Sequence, residues 1–170
     1  TIIEEEADRL AKMIDDLLDA SRLQAGGLSL NQADVSLASL TSRVIERFAP
    51  QSPKHKLVSD FPANFPIIVA DETRLEQVIS NLVSNALKYA TQGEIRISGS
   101  TKPGQVIVCV SDEGPGIEAR DLPHIFDRFY RSTNAVKQTK GAGLGLYLAR
   151  AIVEAHGGRI WADPKPDSGT

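Results

Sequence analysis

Asn81, Asn85 and Lys88 place two amides and an ammonium at helical spacing within the run Asn81–Tyr89. At about 100° per residue they share a stripe roughly 60° wide. Leu75, Val78, Ile79, Leu82, Val83 and Ala86 fill the neighbouring face with a helical period. Amide oxygens can face a hard cation and an ammonium can face phosphate, so the stripe suits a metal–phosphate group. Alone, it fits a solvated polar face equally well. Two glycine-rich segments downstream favour the chemical reading. Asp112-Glu113-Gly114-Pro115-Gly116-Ile117 follows a β run. An Asp at a strand end can accept from an exocyclic amine, and glycines let the backbone turn close to a ring. Gly141-Ala142-Gly143-Leu144-Gly145-Leu146 opens a helical run that continues to His156. Glycines there expose N–H groups at a helix N-terminus, which favours anions. Leu146 stands where a dinucleotide fingerprint needs its final glycine, and the Walker lysine pattern is absent, so a phosphate loop of another kind fits better. Between the glycine segments, Phe126-Asp127-Arg128-Phe129-Tyr130-Arg131 leads into a polar, aperiodic stretch to Lys140. With Arg131, Lys137 and Lys140 it reads as a lid over an anionic ligand, or as a solvated loop.

These residues need elements to position them. Ile2 to Gln24 reads as one long helix, with Ile3, Ala7, Leu10, Ile14, Leu17 and Ser21 alternating at spacings of four and three. Met13 and Leu18 widen this heptad seam, so partner helices are expected from another chain or a preceding segment. Gly26-Gly27 ends the helix and starts a linker. Strands are expected at 28–30, 56–61, 67–70, 94–100, 105–110 and 159–162, and helices at 36–48, from a Thr73/Glu76 capping box to about Ala90, and at 144–156. The 94–100 and 105–110 runs suit a hairpin across Pro103-Gly104. Short turns between the middle strands favour an α+β fold, a two-layer α/β sandwich with helices on one face, preceded by one long helix.

The 170 residues suffice for one domain plus an appendage, and 41% hydrophobic with 24% charged residues is ordinary for a globular chain. A net charge of −3 without a basic run argues against nucleic acid as partner. Cys109, the single cysteine, sits in the apolar run 106–110 and reads as core packing in a reducing compartment. No stretch is apolar enough to span a bilayer and no signal peptide is visible. No membrane contact and a cytoplasmic location are therefore expected, leaving open whether a longer parent is anchored.

In this order, the four segments resemble the ATP-binding domain of sensor histidine kinases, within the GHKL (Bergerat-fold) ATPases. NLVSNALKY is similar to the family's N box, DEGPGI to its first glycine box, FDRFY to its F box and GAGLGL to its second glycine box. The opening helix, through Ile14 to Gly26, resembles the second helix of the helical-hairpin dimerisation and phosphoacceptor domain. The resemblance implies residues 1–25 as part of that domain and 26–170 as the catalytic ATP-binding domain. It implies ATP and Mg²⁺ as cofactors, a homodimer through the N-terminal helix, and a response regulator receiver domain as partner. Asn85 would supply an oxygen to Mg²⁺, with Asn81 one turn earlier beside the phosphates. Lys88 would contact phosphate and Tyr89 would pack near the adenine. Asp112 would accept from the adenine amine, with Gly114, Gly116 and Ile117 around the ring. Arg131 and the lid would approach the triphosphate, and Gly141, Gly143, Leu144, Gly145 and Leu146 would bring N–H groups to it.

Three departures stand out. No histidine followed by an acidic residue on a dimerisation helix is present; His55, His124 and His156 lack that context, and His156 reads as a helix-end cation or cap. The chain stops at Thr170, where the family usually continues into a closing strand. Ala142 replaces a glycine or threonine common in the second glycine box. The implied activity is transfer of the ATP γ-phosphoryl to a histidine on a missing helix, then to a response regulator aspartate. A binding or dimerisation module without transfer is the second reading. A hydrolysing relative is disfavoured, because such relatives carry a glutamate where this chain has Asn81, and an amide is a poor base.

Overall fold

Two-residue periodicity builds the sheet. The computed structural model describes residues 1–25, 27–132 and 142–164. Strands β2 (His55–Asp60), β4 (Gly93–Lys102) and β5 (Gln105–Ser111) form a sheet in the order β2-β4-β5. β2 runs parallel to β4, and β4 pairs antiparallel with β5 across the expected turn. On β4, Ile95 and Ile97 point inward and are fully buried. Gly99 continues that row beneath Phe61 and Phe65, whose rings meet edge to face at 5.0 Å. A Cβ at Gly99 would collide with both rings, so the missing side chain makes room for the aromatic pair. The opposite face carries Arg96 bonded to Asp60 at 3.0 Å and to Glu94 at 2.6 Å.

Strands β1 (Ala33–Val35) and β3 (Ile68–Ala70) pair antiparallel as a separate ribbon. Helices α2 (Leu37–Phe48) and α3 (Glu72–Tyr89) cover the inner face of the sheet. Leu40 and Val44 of α2, Ile79 and Val83 of α3, and Ile97 share one core cluster. Arg43 pairs with Glu72, and Arg47 reaches Glu76 at 2.7 Å, joining the two helices at the surface. Helix α4 (Gly145–Ala155) packs on α3 through Ala149, Ile152 and Val78. The expected two-layer α+β arrangement is present, with helices on one side of the sheet.

Helix α1 (Ile2–Gln24) starts in a capping box in which the Thr1 hydroxyl accepts from Glu4 N–H. Its Ala20 is fully buried against Leu144 and Leu148 of the α4 entry. Ile3, Leu10 and Ile14 remain exposed, at 81%, 58% and 49%. The heptad seam is therefore apart from the face that docks on the domain.

Several expectations shift. Residues 28–30 form no strand; Leu28 packs instead between α3 and α4. Pairing goes to 33–35, where Val35 can bury opposite Ile68. Residues 159–162 form no ladder, although Ile160 joins the α3–α4 cluster. Asp71, not Thr73, caps α3: its carboxylate accepts from Arg74 N–H at 3.1 Å and from Asn31 N–H at 2.9 Å. Cys109 is exposed, because Val106, Val108 and Val110 take the inward phase of β5. The expectations for 133–140 and for the chain beyond 164 lie outside the described residues.

Candidate functional site

The N-box helix reaches both glycine boxes by direct contact. Asn81 is 4% exposed and its Nδ2 donates to the Gly145 carbonyl at 3.1 Å. A Cβ on Gly145 would lie 3.6 Å from the Asn81 Cγ, so the two boxes are in van der Waals range. This amide is committed to the start of α4, a tying role that the helical stripe alone did not reveal. One turn on, Asn85 is half-buried; Lys88 and Tyr89, at the last turn of α3, are exposed.

The first glycine box folds back on the end of α3. Asp112 Oδ1 accepts the Gly114 N–H at 2.7 Å, closing a tight turn. A Cβ on Gly114 would stand 3.2 Å from the Ala90 backbone, tighter than ordinary contact. Gly116 has φ +76°, the left-handed region that glycine enters at little cost. Ile117 follows it, half-buried.

The F box meets the second glycine box. Phe129 N–H donates to the Gly143 carbonyl at 3.0 Å, and Phe129 itself has φ +63°. Gly143 has φ +71°, and a Cβ there would come within 2.8 Å of the Tyr130 carbonyl oxygen. The Tyr130 hydroxyl donates to buried Asp121 at 2.7 Å, and this bond raises the Tyr130 pKa. Leu144 is buried and begins α4 without any side-chain cap. The first-turn N–H groups of an uncapped helix favour an anion. Leu146 is half-buried in that turn, and Gly141 lies outside the described residues.

The charges agree. Lys88 is lowered from its usual pKa, first by loss of hydration, then by Lys12, Arg9 and Arg131, with Asp16 acting in the opposite sense. The Arg131 charge is thus one of those acting on Lys88. Arg9, Lys12 and Asp16 of α1 were not anticipated there. Their signal was present as polar residues on a stripe offset from the heptad seam. The Asp19–Arg74 pair was missed too: Arg74 donates to Asp19 at 2.6 Å and Gln77 adds a bond at 3.3 Å. Burial alone would raise the Asp19 pKa, but these bonds hold it below the usual carboxylate value.

The four boxes therefore converge in space, around an uncapped helix N-terminus and glycines whose missing Cβ atoms leave room. A separate groove of about 480 Å³, lined by Pro66, Val69, Leu75, Lys102 and Val106 among others, lies away from these boxes and has no part in their convergence.

Residues 70–170 match the family model described as "Histidine kinase-, DNA gyrase B-, and HSP90-like ATPase". The chain belongs to this ATPase family. Sensor histidine kinase WalK of Bacillus subtilis (strain 168) is 32% identical over 99% of this chain and 28% of its own length. The adaptive-response sensory kinase SasA of Microcystis aeruginosa is 36% identical over 94% of this chain and 42% of its own. Among solved structures, full-length ShkA in complex with AMPPNP superposes with TM-score 0.86 at 30% identity, covering 97% of this chain and 35% of that one. Histidine kinase ThkA in complex with response regulator protein TrrA superposes with TM-score 0.76 at 27% identity, covering 99% and 47%. The chain spans less than half the length of each of these relatives. The ATPase-family domain thus matches sensor kinases in sequence and fold, as its motifs implied.

The histidines of this ATPase-family chain have structural partners. His55 Nε2 lies 2.9 Å from the Ala90 carbonyl oxygen. His124 Nδ1 lies 3.0 Å from the Asp127 carboxylate. His156 Nε2 accepts the Asp71 N–H at 3.0 Å while its Nδ1 donates to the Ile152 carbonyl at 2.8 Å. His156 thus ties the C-terminal end of α4 to the residue that caps α3, at the helix end where the sequence placed it. Among the described residues, no helix is long and apolar enough to cross a membrane.

Proposed function

We propose that this chain is the ATP-binding catalytic domain of a sensor histidine kinase together with part of its dimerisation helix, the division falling near 25/26. The observation that carries the reading is the convergence of the four boxes through Asn81–Gly145, Gly114–Ala90 and Phe129–Gly143. Asp112 reads the adenine amine, with Gly114, Gly116, Ile117 and Tyr89 bordering the ring. Lys88, Arg131 and the N–H groups from Gly141 through Leu146 hold the phosphates, and buried Asn81 sets the distance between α3 and that loop.

Asn85 is the chain's own ligand for Mg²⁺. No group of three or more His, Cys, Asp or Glu able to hold a metal is present among the described residues. One half-buried amide oxygen fits an ion that keeps water and phosphate oxygens as its other ligands. The ion would neutralise phosphate charge. The protein positions the γ-phosphoryl, and transfer of this kind is mostly positioning and electrostatics. The acceptor is a histidine on a preceding helix, and the relay continues to a response regulator. The exposed seam at Ile3, Leu10, Ile14 and Leu17 buries against a second copy in a helical bundle.

Binding without transfer is what these 170 residues do alone. Asn81, an amide already bonded to Gly145, has no basicity to activate water. Calorimetric titration with ATP, with and without Mg²⁺, tests binding: no heat at millimolar nucleotide overturns the site. A version extended upstream tests transfer. It should dimerise and acquire acid-labile label from γ-labelled ATP, whereas acid-stable label on the present chain, or fast phosphate release from it, assigns another activity.

A further inference from the structure

The turn that carries Asp112 rests on the segment joining α3 to β4, and two side chains tie the pieces together. Helix α3 ends at Tyr89, and Ala90 follows it with extended backbone, φ −77° and ψ 123°. Ala90 is 2% exposed, so its carbonyl needs a partner that the helix no longer supplies. His55, half-buried at the start of β2, provides one. Its Nε2 lies 2.9 Å from that oxygen, and because a carbonyl only accepts, the ring donates. The same end of β2 holds the residues that follow: the Gly93 N–H donates to the Lys54 carbonyl at 3.3 Å, and Gly93 stands opposite His55 in the β2–β4 ladder. Gly114 is seated on this segment so closely that a Cβ would lie 3.2 Å from the Ala90 Cα and from its N. Glu113 adds the second tie. Its Oε2 accepts the Glu94 N–H at 3.0 Å, joining the turn to the first residues of β4. Gly93 leaves room for this bond: its φ is +109°, where a side chain is strained, and a Cβ there would run into the Glu113 carboxylate.

We infer that His55 and Glu113 are positioning residues for adenine recognition: His55 fixes the Ala90 backbone on which Gly114 rests, Glu113 fixes the same turn to β4, and together they hold Asp112 where it reads the base. The inference rests on the ATP site proposed above. It extends that site to a histidine outside the four boxes and to a carboxylate beside Asp112 that the site had left without a role. Neither side chain needs to touch the nucleotide. A turn that is already fixed loses less freedom when the base arrives, so a held Asp112 binds adenine more tightly than a loose one.

The test is titration of the chain with ATP, ADP and GTP, with and without Mg²⁺, for the native protein, Glu113→Ala, Glu113→Gln, His55→Ala and His55→Gln. Glutamine keeps an acceptor oxygen at 113 and a terminal donor at 55, whereas alanine removes the bond. Each alanine variant should bind ATP and ADP about two- to tenfold more weakly, and by the same factor, since both carry adenine. Preference over GTP should fall, and the Mg²⁺ enhancement should stay native because the phosphate end of the site is untouched. Each glutamine variant should recover most of the loss, which a merely space-filling role would not allow. Native affinity for ATP and ADP in Glu113→Ala overturns the inference while leaving the site standing. A loss confined to ATP, or glutamine variants as weak as the alanine ones, overturns it as well. Glu113 is exposed, so its variants decide the question even where urea unfolding shows His55→Ala to be destabilised. Absence of nucleotide binding by the native chain overturns the underlying site and the inference with it.

Discussion

Asp112→Asn separates two jobs that one side chain performs in the proposed site. In the structure Asp112 Oδ1 accepts the Gly114 N–H at 2.7 Å and so holds the turn of the first glycine box. An asparagine oxygen can accept the same bond, so the turn should survive, with stability changed by about 1 kcal/mol or less. Adenine recognition should not survive intact. A carboxylate only accepts, and the adenine N6 amine donates; an amide accepts more weakly and can present its own donors. Loss of a hydrogen bond to a charged acceptor in a half-buried site corresponds to about 1–3 kcal/mol, or roughly 5- to 150-fold in affinity. Guanine carries an acceptor at the equivalent position, which an amide N–H can meet, so discrimination against GTP should fall further than ATP affinity does. The assay is calorimetric titration with ATP and GTP, paired with urea unfolding of the same protein. Unchanged ATP affinity with unchanged preference over GTP would refute the assignment. A protein that unfolds would show that the turn, not the base, is what Asp112 serves.

Asn85→Ala should remove the Mg²⁺ enhancement of ATP binding and leave thermal stability near native, read by titration with and without the metal. Gly143→Ala places a Cβ within 2.8 Å of the Tyr130 carbonyl oxygen at φ +71° and should cost about 1–3 kcal/mol in urea unfolding, with weaker ATP binding. Asp71→Ala should cost about 1–2 kcal/mol, since it removes the α3 cap and the Asn31 link together. Burial pushes the Asp71 carboxyl up, but the N–H bonds from Asn31 and Arg74 and the Arg74 charge outweigh it, and the net shift is below 3.8. Asp71 therefore contributes stability that is present above pH 3.8 and lost as pH falls through its lower folded value. Unfolding midpoints across the acid range should show a steeper loss for the native chain than for Asp71→Asn.

The boxes were legible in the sequence because each is local. A helical stripe, an Asp-x-Gly-x-Gly turn and a glycine-rich helix entry declare their geometry within a few residues. The same holds for α1, α2 and the β4–β5 hairpin, whose periodicities leave one reading. What stayed hidden depends on register between distant segments. Both phases of 106–110 are apolar, so alternation could not say whether Cys109 or its neighbours face the core; the packing of Val106, Val108 and Val110 decides it. Leu28 and Leu30 alternate like a strand, yet a strand needs a partner edge, and β3 pairs with 33–35. Asp71 and Thr73 both suit an N-cap, and the choice falls to Asp71 because its carboxylate also reaches Asn31. Asn81 lies on the stripe that the sequence shows, but its bond to Gly145 joins segments far apart in the chain and could not be read from it.

One helix carries two faces, and their separation bears on how such a chain can work. The exposed apolar residues Ile3, Leu10, Ile14 and Leu17 centre about 110° around α1 from the stripe formed by Arg9, Met13, Asp16, Ala20 and Leu23. The bundle proposed for the first face would leave the second unobstructed, so it would not compete for surface with docking of the ATP-binding domain. Among the described residues the dock is small: one buried alanine with Leu23 beside it, and one carboxylate held by Arg74 and Gln77. Interfaces of this size and polarity form and break at modest cost. Under the proposed function, a domain held in this way leaves α1 to bring its nucleotide to the acceptor and returns without disturbing the bundle.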